Sequence, residues 1–209
     1  MNYLVIEGNI GAGKTSLSTR IANDYKAKLV LERFADNPFL PKFYQDPARY
    51  SFPLELSFLA ERYNQLKKEL ASLDLFSSMI VSDYYFMKSL IFAANTLADD
   101  EYNLYRQLFD IVYSSLPRPD LFVYLHLGTE KLLENIKKRG RNYEQQITAD
   151  YLEKIQNSYF SYFRQEPGMK ILVINTENID FVLHNKDYLK LTDAIFNRNW
   201  KAGINRLEL

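Results

Sequence analysis

Glu7-Gly8-Asn9-Ile10-Gly11-Ala12-Gly13-Lys14-Thr15 fits the pattern G-x-x-x-x-G-K-[ST] from Gly8 to Thr15. It directly follows the apolar run Tyr3-Leu4-Val5-Ile6 and precedes a stretch with Leu17, Ile21 and Tyr25 at helical spacing. The region therefore reads as a strand, a glycine loop and a helix. Glycines let the backbone turn tightly and come close to a ligand, so that N–H groups along Gly8, Asn9, Ile10, Gly11, Ala12 and Gly13 can face phosphate oxygens. The positive end of the following helix lies behind them. Lys14 would reach the outer phosphates and the Thr15 hydroxyl would ligate a magnesium ion. A glycine-rich turn without function is the bland alternative, and the strand and helix on either side argue against it. Gly8 to Thr15 is the expected ATP-binding segment.

Working outward, Lys28-Leu29-Val30-Leu31-Glu32 reads as a second buried strand ending in a carboxylate. Arg33 to Tyr50, with Pro38, Pro41 and Pro47, reads as a loop with short helical turns. Pro53 to Leu73 keeps helical spacing, with Pro53 at a tolerated helix start, and places Glu55 and Arg62 on one face. Ser78 to Asp83 is the next strand, again ending in an acid. Leu121 to Leu127 and Ile171 to Ile174 are the fourth and fifth, with a last helix from about Tyr188 to Phe196 closing the chain. Continuous apolar runs separated by helices argue for an α/β fold with a parallel sheet covered on both faces.

With 47% hydrophobic residues in 209, the chain can bury one large core, and a single domain is expected. Lys+Arg and Asp+Glu both number 26, so the basic footprint of a protein that holds a nucleic-acid polymer is missing. The absence of cysteine removes thiolate nucleophiles and Cys-based zinc sites, and His126 and His184 are too far apart to suggest a metal motif. No signal-peptide pattern or long apolar run is present, so no membrane partner is expected and the cytoplasm is the expected compartment. Met1 stands almost on the first strand, which also allows the chain to be a piece of a longer polypeptide.

In open parallel sheets, ligands lie beyond the carboxyl ends of the strands, where Glu32 and Asp83 are expected. A carboxylate there can activate a hydroxyl for attack on a γ-phosphoryl group or hold magnesium. Strand-end acids are also common as turn and cap residues. The run Lys137-Lys138-Arg139-Gly140-Arg141-Asn142-Tyr143-Glu144 suits a lid at about 138–146 that closes on a triphosphate, Arg139 and Arg141 spreading positive charge over the transferring group. A basic helix end followed by a glycine stop is the structural alternative. Aromatics such as Phe34, Phe39, Phe43, Tyr44, Tyr84, Tyr85 and Phe92 fall near strand ends where a flat base could be sandwiched.

Together these residues resemble the deoxynucleoside kinase family over almost the whole chain. Glu7 to Thr15 is similar to that family's opening motif, including Gly8-Asn9-Ile10, and Ala35-Asp36-Asn37-Pro38-Phe39-Leu40 resembles its bacterial branch. Arg139 to Glu144 resembles its lid. The resemblance implies a P-loop NTPase-type three-layer sandwich with a five-stranded parallel sheet, often dimeric. It also implies magnesium-dependent transfer of the ATP γ-phosphate to a deoxynucleoside. Glu32 matches the carboxylate that accepts the proton of the 5′-hydroxyl, and Tyr44 and Glu144 the pair on the sugar 3′-hydroxyl. Arg62 matches an arginine near the base, Phe92 an aromatic that stacks on it, and Arg139 and Arg141 the lid arginines.

Two departures stand out. Asp83 is followed by Tyr84-Tyr85 where the family usually carries an arginine after the acid; Asp83 keeps the magnesium role in this reading, and Lys88 is the candidate to supply the absent charge. Glu55 stands where a base-reading glutamine is usual. An ionised carboxylate accepts but cannot donate, so it disfavours thymine, whose single N–H lies between two carbonyls. The expected order is purine deoxynucleosides, then deoxycytidine, then thymidine. A protonated Glu55 would remove that argument. The competing readings are a thymidylate-like monophosphate kinase, which would need a cationic pocket where the sequence offers an acid, and a nucleotide-binding regulatory domain with weak transfer.

Overall fold

The computed structural model describes residues 1–33, 37–71 and 79–209, the side chains of 44, 71 and 143 excepted. Its elements in chain order are β1 (Tyr3–Gly8), α1 (Lys14–Asp24), β2 (Lys28–Val30), α2 (Leu40–Gln45), α3 (Pro47–Ala71), β3 (Ile80–Ser82), α4 (Lys88–Thr96) and α5 (Asp99–Tyr113). There follow β4 (Leu121–His126), α6 (Thr129–Arg139), α7 (Ala149–Gln165), β5 (Lys170–Asn175), α8 (Asn185–Phe196) and β6 (Gly203–Glu208). They form two compact units. One comprises Met1–Leu31, Leu73–Tyr84 and Arg118–Leu209, the other Glu32–Ser72 and Tyr85–Pro117.

The first unit holds the whole sheet, in the order β2-β3-β1-β4-β5-β6, every neighbouring pair parallel. Alternation along β4 divides its side chains between two faces. Leu121, Val123 and Leu125 join a core with Leu17 and Ile21 of α1 and Leu191 and Ile195 of α8. Phe122 and Tyr124 face the other way and meet Phe163 of α7, each at 5.4 Å between ring centroids. The strands are continuously apolar because both faces are covered.

The expected five-stranded P-loop NTPase-type sandwich is corrected by this sheet, which is a parallel α/β sheet of six strands flanked by helices. The chain does not close on α8. β6 follows it and pairs with β5 from Lys170↔Gly203 to Asn175↔Glu208. Gly203-Ile204-Asn205-Arg206-Leu207-Glu208 mixes charged and apolar residues because it is an edge strand, with no residue fully withdrawn from water. An apolar-run criterion therefore passes over it.

The second unit is helical, with α3 packed on α2, α4 and α5. α3 begins at Pro47, and Pro53, expected at a helix start, lies inside it. Proline at the first turn costs no hydrogen bond, whereas Pro53 removes one from the ladder. Phe86 stacks on Phe109 at 4.9 Å and Phe109 on Tyr113 at 5.0 Å. Phe34, Ala35, Asp36, Leu73 and Ser78, which entered the sequence reading, lie outside the described residues. No helix among the described residues is long and apolar enough to cross a membrane.

Candidate active site

In the first unit the glycine loop is shaped by contacts that only glycine tolerates. Gly11 has φ 88° and Gly13 φ 86°, both left-handed. A Cβ at Gly11 would come within 2.8 Å of the Leu132 carbonyl oxygen of α6, and one at Gly13 within 2.7 Å of Phe181. Substitution at either would meet backbone strain of about 1–2 kcal/mol and a steric clash besides. Side chains then take up the loop's carbonyls. Lys14 donates from Nζ to the oxygens of Gly8 at 3.0 Å and Asn9 at 2.9 Å, and Asn135 of α6 donates to Gly11 at 2.9 Å. Asn9 ties the loop to α7 through Leu152 O at 2.7 Å. Beneath it Glu7 is fully buried and accepts from the Tyr159 hydroxyl at 2.9 Å and from Gly8 N at 3.3 Å. No local pattern marks Glu7 for that role.

Thr15, in the first turn of α1, donates its hydroxyl to Asp83 Oδ2 at 2.6 Å, bringing the two expected magnesium ligands together. Asp83 directly follows β3 and is 5% exposed. A hydroxyl and a carboxylate are hard oxygen donors of the kind magnesium takes alongside water and phosphate. Among the described residues no cluster of three or more His, Cys, Asp or Glu is arranged to hold a metal. One hydroxyl and one carboxylate leave room on such an ion for water and phosphate oxygens.

A cleft of about 740 Å³ in this unit is lined by Gly11 to Ser16, by the cations Lys131, Lys138, Arg139 and Arg141, and by the segment 176–184. That last segment was not singled out from the sequence, since it carries no motif and takes its place through the turn after β5. α6 ends as its composition demands, with Lys137, Lys138 and Arg139 in the last turn and Gly140 left-handed at φ 73°. Just beyond, Arg139 Nε donates to Glu144 Oε2 at 3.0 Å and Arg141 to Glu144 Oε1 at 3.2 Å. Both guanidinium groups thus meet one carboxylate, whose side chain is 8% exposed. Glu144, assigned to the sugar 3′-hydroxyl by resemblance, here pairs with Arg139 and Arg141. The side chain of Tyr44, its expected companion, lies outside the described residues.

The second unit gathers Glu32, Glu55, Arg62, Lys88 and Phe92. Glu32 stands two residues beyond the end of β2, with its side chain 10% exposed. Arg62 of α3 meets Oε1 through Nε at 2.9 Å and through its terminal nitrogen at 2.8 Å, and Lys88 of α4 pairs with Oε2. Burial alone would raise the Glu32 carboxyl; the Lys88 ammonium and the Arg62 guanidinium outweigh it and hold it down at about 2. Lys88 also stands 5.5 Å from the ring centre of half-buried Phe92, one turn further along α4.

Glu55, 3% exposed, has a different fate. Its Oε1 accepts from Thr96 at 3.0 Å, while Oε2 has no hydrogen-bond partner among the described residues. Arg62 does not pair with it: besides Glu32, that guanidinium donates to Ser89 at 2.8 Å and lies over Phe58 at 4.8 Å. Burial pushes the Glu55 carboxyl up to about 7, against the pull of the Arg62 charge and the Thr96 hydroxyl. The expectation of a plainly ionised Glu55 is therefore modified, since both forms are populated near neutrality.

In the first unit the glycine loop, the oxygen pair and the cleft lined by arginines suit a nucleotide-dependent phosphotransferase. Comparison with known proteins gives the particular kind. Residues 4–199 match the family described as deoxynucleoside kinase. The chain is 33% identical over 193 residues to a deoxyguanosine kinase of Bacillus subtilis (strain 168), covering 90% of this chain and 93% of that protein. It is 31% identical to a deoxyadenosine kinase of Lactobacillus acidophilus, covering 92% and 95%. A structure of deoxyadenosine kinase from M. mycoides with the products dCMP and a flexible dCDP bound superposes with a TM-score of 0.77 at 25% identity, covering 93% of this chain and 98% of that one. The chain belongs to the deoxynucleoside kinase family. The family's activity, ATP-dependent phosphorylation of deoxynucleosides, takes precedence over the monophosphate-kinase and regulatory readings.

Proposed function

We propose that the chain transfers the γ-phosphate of ATP to the 5′-hydroxyl of a purine deoxynucleoside, ahead of deoxycytidine and thymidine, in cytoplasmic nucleotide salvage. The observation that carries the base preference is Glu55, a buried carboxyl with one oxygen free of hydrogen-bond partners among the described residues. When ionised, it sets thymine's carbonyl lone pairs against the charge, a mismatch worth about 1–3 kcal/mol, while guanine meets it with N1–H and the 2-amino group. The names of the bacterial relatives, deoxyguanosine and deoxyadenosine kinase, point the same way.

In this reading Glu32 orients the 5′-hydroxyl and takes its proton as the phosphoryl group leaves ATP. A loose phosphoryl-transfer transition state asks more for placement and charge than for a strong base. A carboxylate held near 2 suits that demand, because it never arrives protonated at working pH. Lys14, Arg139 and Arg141 carry the charge of the phosphates, and Phe92 and Arg62 position the base. Thr15 and Asp83 would hold magnesium, which when bound neutralises charge building on the phosphate oxygens. Exposed Leu104 and Ile111 on α5 support a homodimer, which sedimentation would test.

The test of the whole reading is transfer from Mg-ATP to deoxyadenosine, deoxyguanosine, deoxycytidine and thymidine, with their monophosphates alongside. A purine deoxynucleoside should be the best acceptor. Thymidine as the best acceptor would overturn the Glu55 argument, and turnover of monophosphates alone would overturn the kinase assignment.

A further inference from the structure

Three observations around Glu55 combine into more than a base preference. The carboxyl is buried with Oε2 unpaired among the described residues. The cation on its own helix face, Arg62, is committed by hydrogen bonds to Glu32 and Ser89. Tyr105 of α5 donates its hydroxyl to the Glu55 main-chain oxygen at 3.3 Å, leaving the carboxyl untouched. Thr96 of α4 reaches Oε1 from one side, and the same hydroxyl lies 3.0 Å from Phe92 O. Thr96 can therefore donate to an ionised Glu55, or donate to Phe92 and accept from a protonated one. Neither protonation state is locked by a fixed partner.

We propose, resting on the reading that Glu55 meets the base, that its protonation state sets the choice between the two purines. As an acid, Glu55 presents a donor beside an acceptor. That pair satisfies adenine at N1 and the 6-amino group, and guanine at O6 and N1–H. As a carboxylate it presents acceptors only. Guanine still satisfies it, through N1–H and the 2-amino group together, while adenine turns a lone pair at N1 against it. Ionisation thus penalises deoxyadenosine and spares deoxyguanosine.

The charged and titratable groups facing Glu55 are Arg62 on α3, Glu32, and Tyr105 on α5; α4 contributes the neutral Thr96. Burial lifts the carboxyl to about 7, which puts the change of state near neutrality. Glu32 stays ionised throughout that range and is common to both reactions, so it cancels from their ratio.

The experiment is the ratio of kcat/KM for deoxyguanosine to that for deoxyadenosine between pH 6 and pH 8, in the unaltered enzyme and in Glu55→Gln. Because apparent affinity scales with the competent fraction, the ratio should rise by about tenfold or more in the unaltered enzyme. It should stay flat in the variant, whose amide has a fixed donor and acceptor. Calorimetry of the unaltered protein in two buffers of different ionisation enthalpy needs no variant: deoxyadenosine should bind with proton uptake and deoxyguanosine with little net proton exchange. A flat ratio with both purines turned over, an equal slope in Glu55→Gln, or the same proton exchange for both nucleosides would overturn the switch and leave the kinase reading standing. No turnover of either purine, with other deoxynucleosides phosphorylated, would overturn the purine reading beneath it as well.

Discussion

Glu32 and Glu55 are carboxyl groups of one helical unit, both withdrawn from water and both within the field of Arg62, yet one is held at about 2 and the other at about 7. Burial is the largest influence on each and acts in the same direction. The difference lies in the partners. Glu32 has a cation on each oxygen, Arg62 and Lys88, whereas Glu55 has one hydroxyl and an oxygen without a partner among the described residues. Withdrawal from water sets what a buried charge costs, and hydrogen-bonded countercharge decides whether it persists. A single arginine cannot serve two carboxylates equally. By closing on Glu32 it makes a permanent anion there and leaves a titrating acid two turns away.

The largest expected effect tests the permanent anion. Glu32→Gln should lower kcat by about a thousandfold, in the range of a lost proton acceptor, with the loss independent of pH between 6 and 9. Single-turnover transfer from Mg-ATP measures it directly. A loss of only a few-fold would mean that the clamp of Arg62 and Lys88 serves the fold instead of the chemistry, and the contrast between the two acids would lose its catalytic meaning.

Next in size is a stability effect of opposite sign at the two acids. Glu55 has its folded value raised from 4.5 to about 7. Below 4.5 it is protonated folded or unfolded and changes nothing. Between 4.5 and 7 the unfolded chain releases the proton that the folded chain keeps, so stability falls as pH rises and then levels off. The loss is on the order of 3 kcal/mol. Glu55→Gln should therefore stabilise the protein by up to that amount at pH 8 and hardly at all near pH 4, as read by urea denaturation at both. Glu32, lowered from 4.5 to about 2, runs the other way: its contribution is whole above 4.5 and disappears as pH falls towards 2. Equal stabilisation by Glu55→Gln at both pH values would break the comparison.

How much of this could be read from the sequence differs from one region to another for physical reasons. β1, β4 and β5 declare themselves because buried parallel strands are apolar throughout, and the glycine loop because its φ angles and close approaches admit little else. β6 hides because an edge strand may carry Arg206 and Glu208 as readily as Ile204. The Glu32 clamp hides for another reason. Its partners lie 30 and 56 residues away in the chain, and no local pattern encodes that meeting. Lys88 could be named as a substitute cation only because an arginine was missing after Asp83. The carboxyl of Glu55 was visible as a residue type, but its charge state depends on where Arg62 turns, which only the packed helices determine.

A smaller effect sharpens the Glu32 side. Lys88→Met removes one of the two cations and should raise the Glu32 carboxyl by about 1–3 units, the usual reach of a nearby opposite charge. The rate profile should then gain an acid limb at pH 4–5 that the unaltered enzyme lacks. If no limb appears, Arg62 alone suffices, and the missing arginine after Asp83 needs no replacement.

The smallest expected effect sits on the Glu55 side, at Thr96. Its hydroxyl has one hydrogen and two acceptors within 3.0 Å, Glu55 Oε1 and Phe92 O. When Glu55 is ionised the hydrogen is worth most on the carboxylate; when it is protonated the hydroxyl can turn back to the helix. Thr96→Val keeps the shape but removes the donor, so the ionised form loses a bond that the acid form hardly needs. One such bond contributes about 0.5–1.5 kcal/mol, which raises the Glu55 carboxyl by roughly half to one unit. The midpoint of the deoxyguanosine to deoxyadenosine ratio should move to higher pH by that amount, and Thr96→Ser should return it. A midpoint unmoved by the valine would show that burial alone holds Glu55 near neutrality. A midpoint moved downward would mean that the hydroxyl serves the acid form, with Phe92 O keeping its hydrogen in both states.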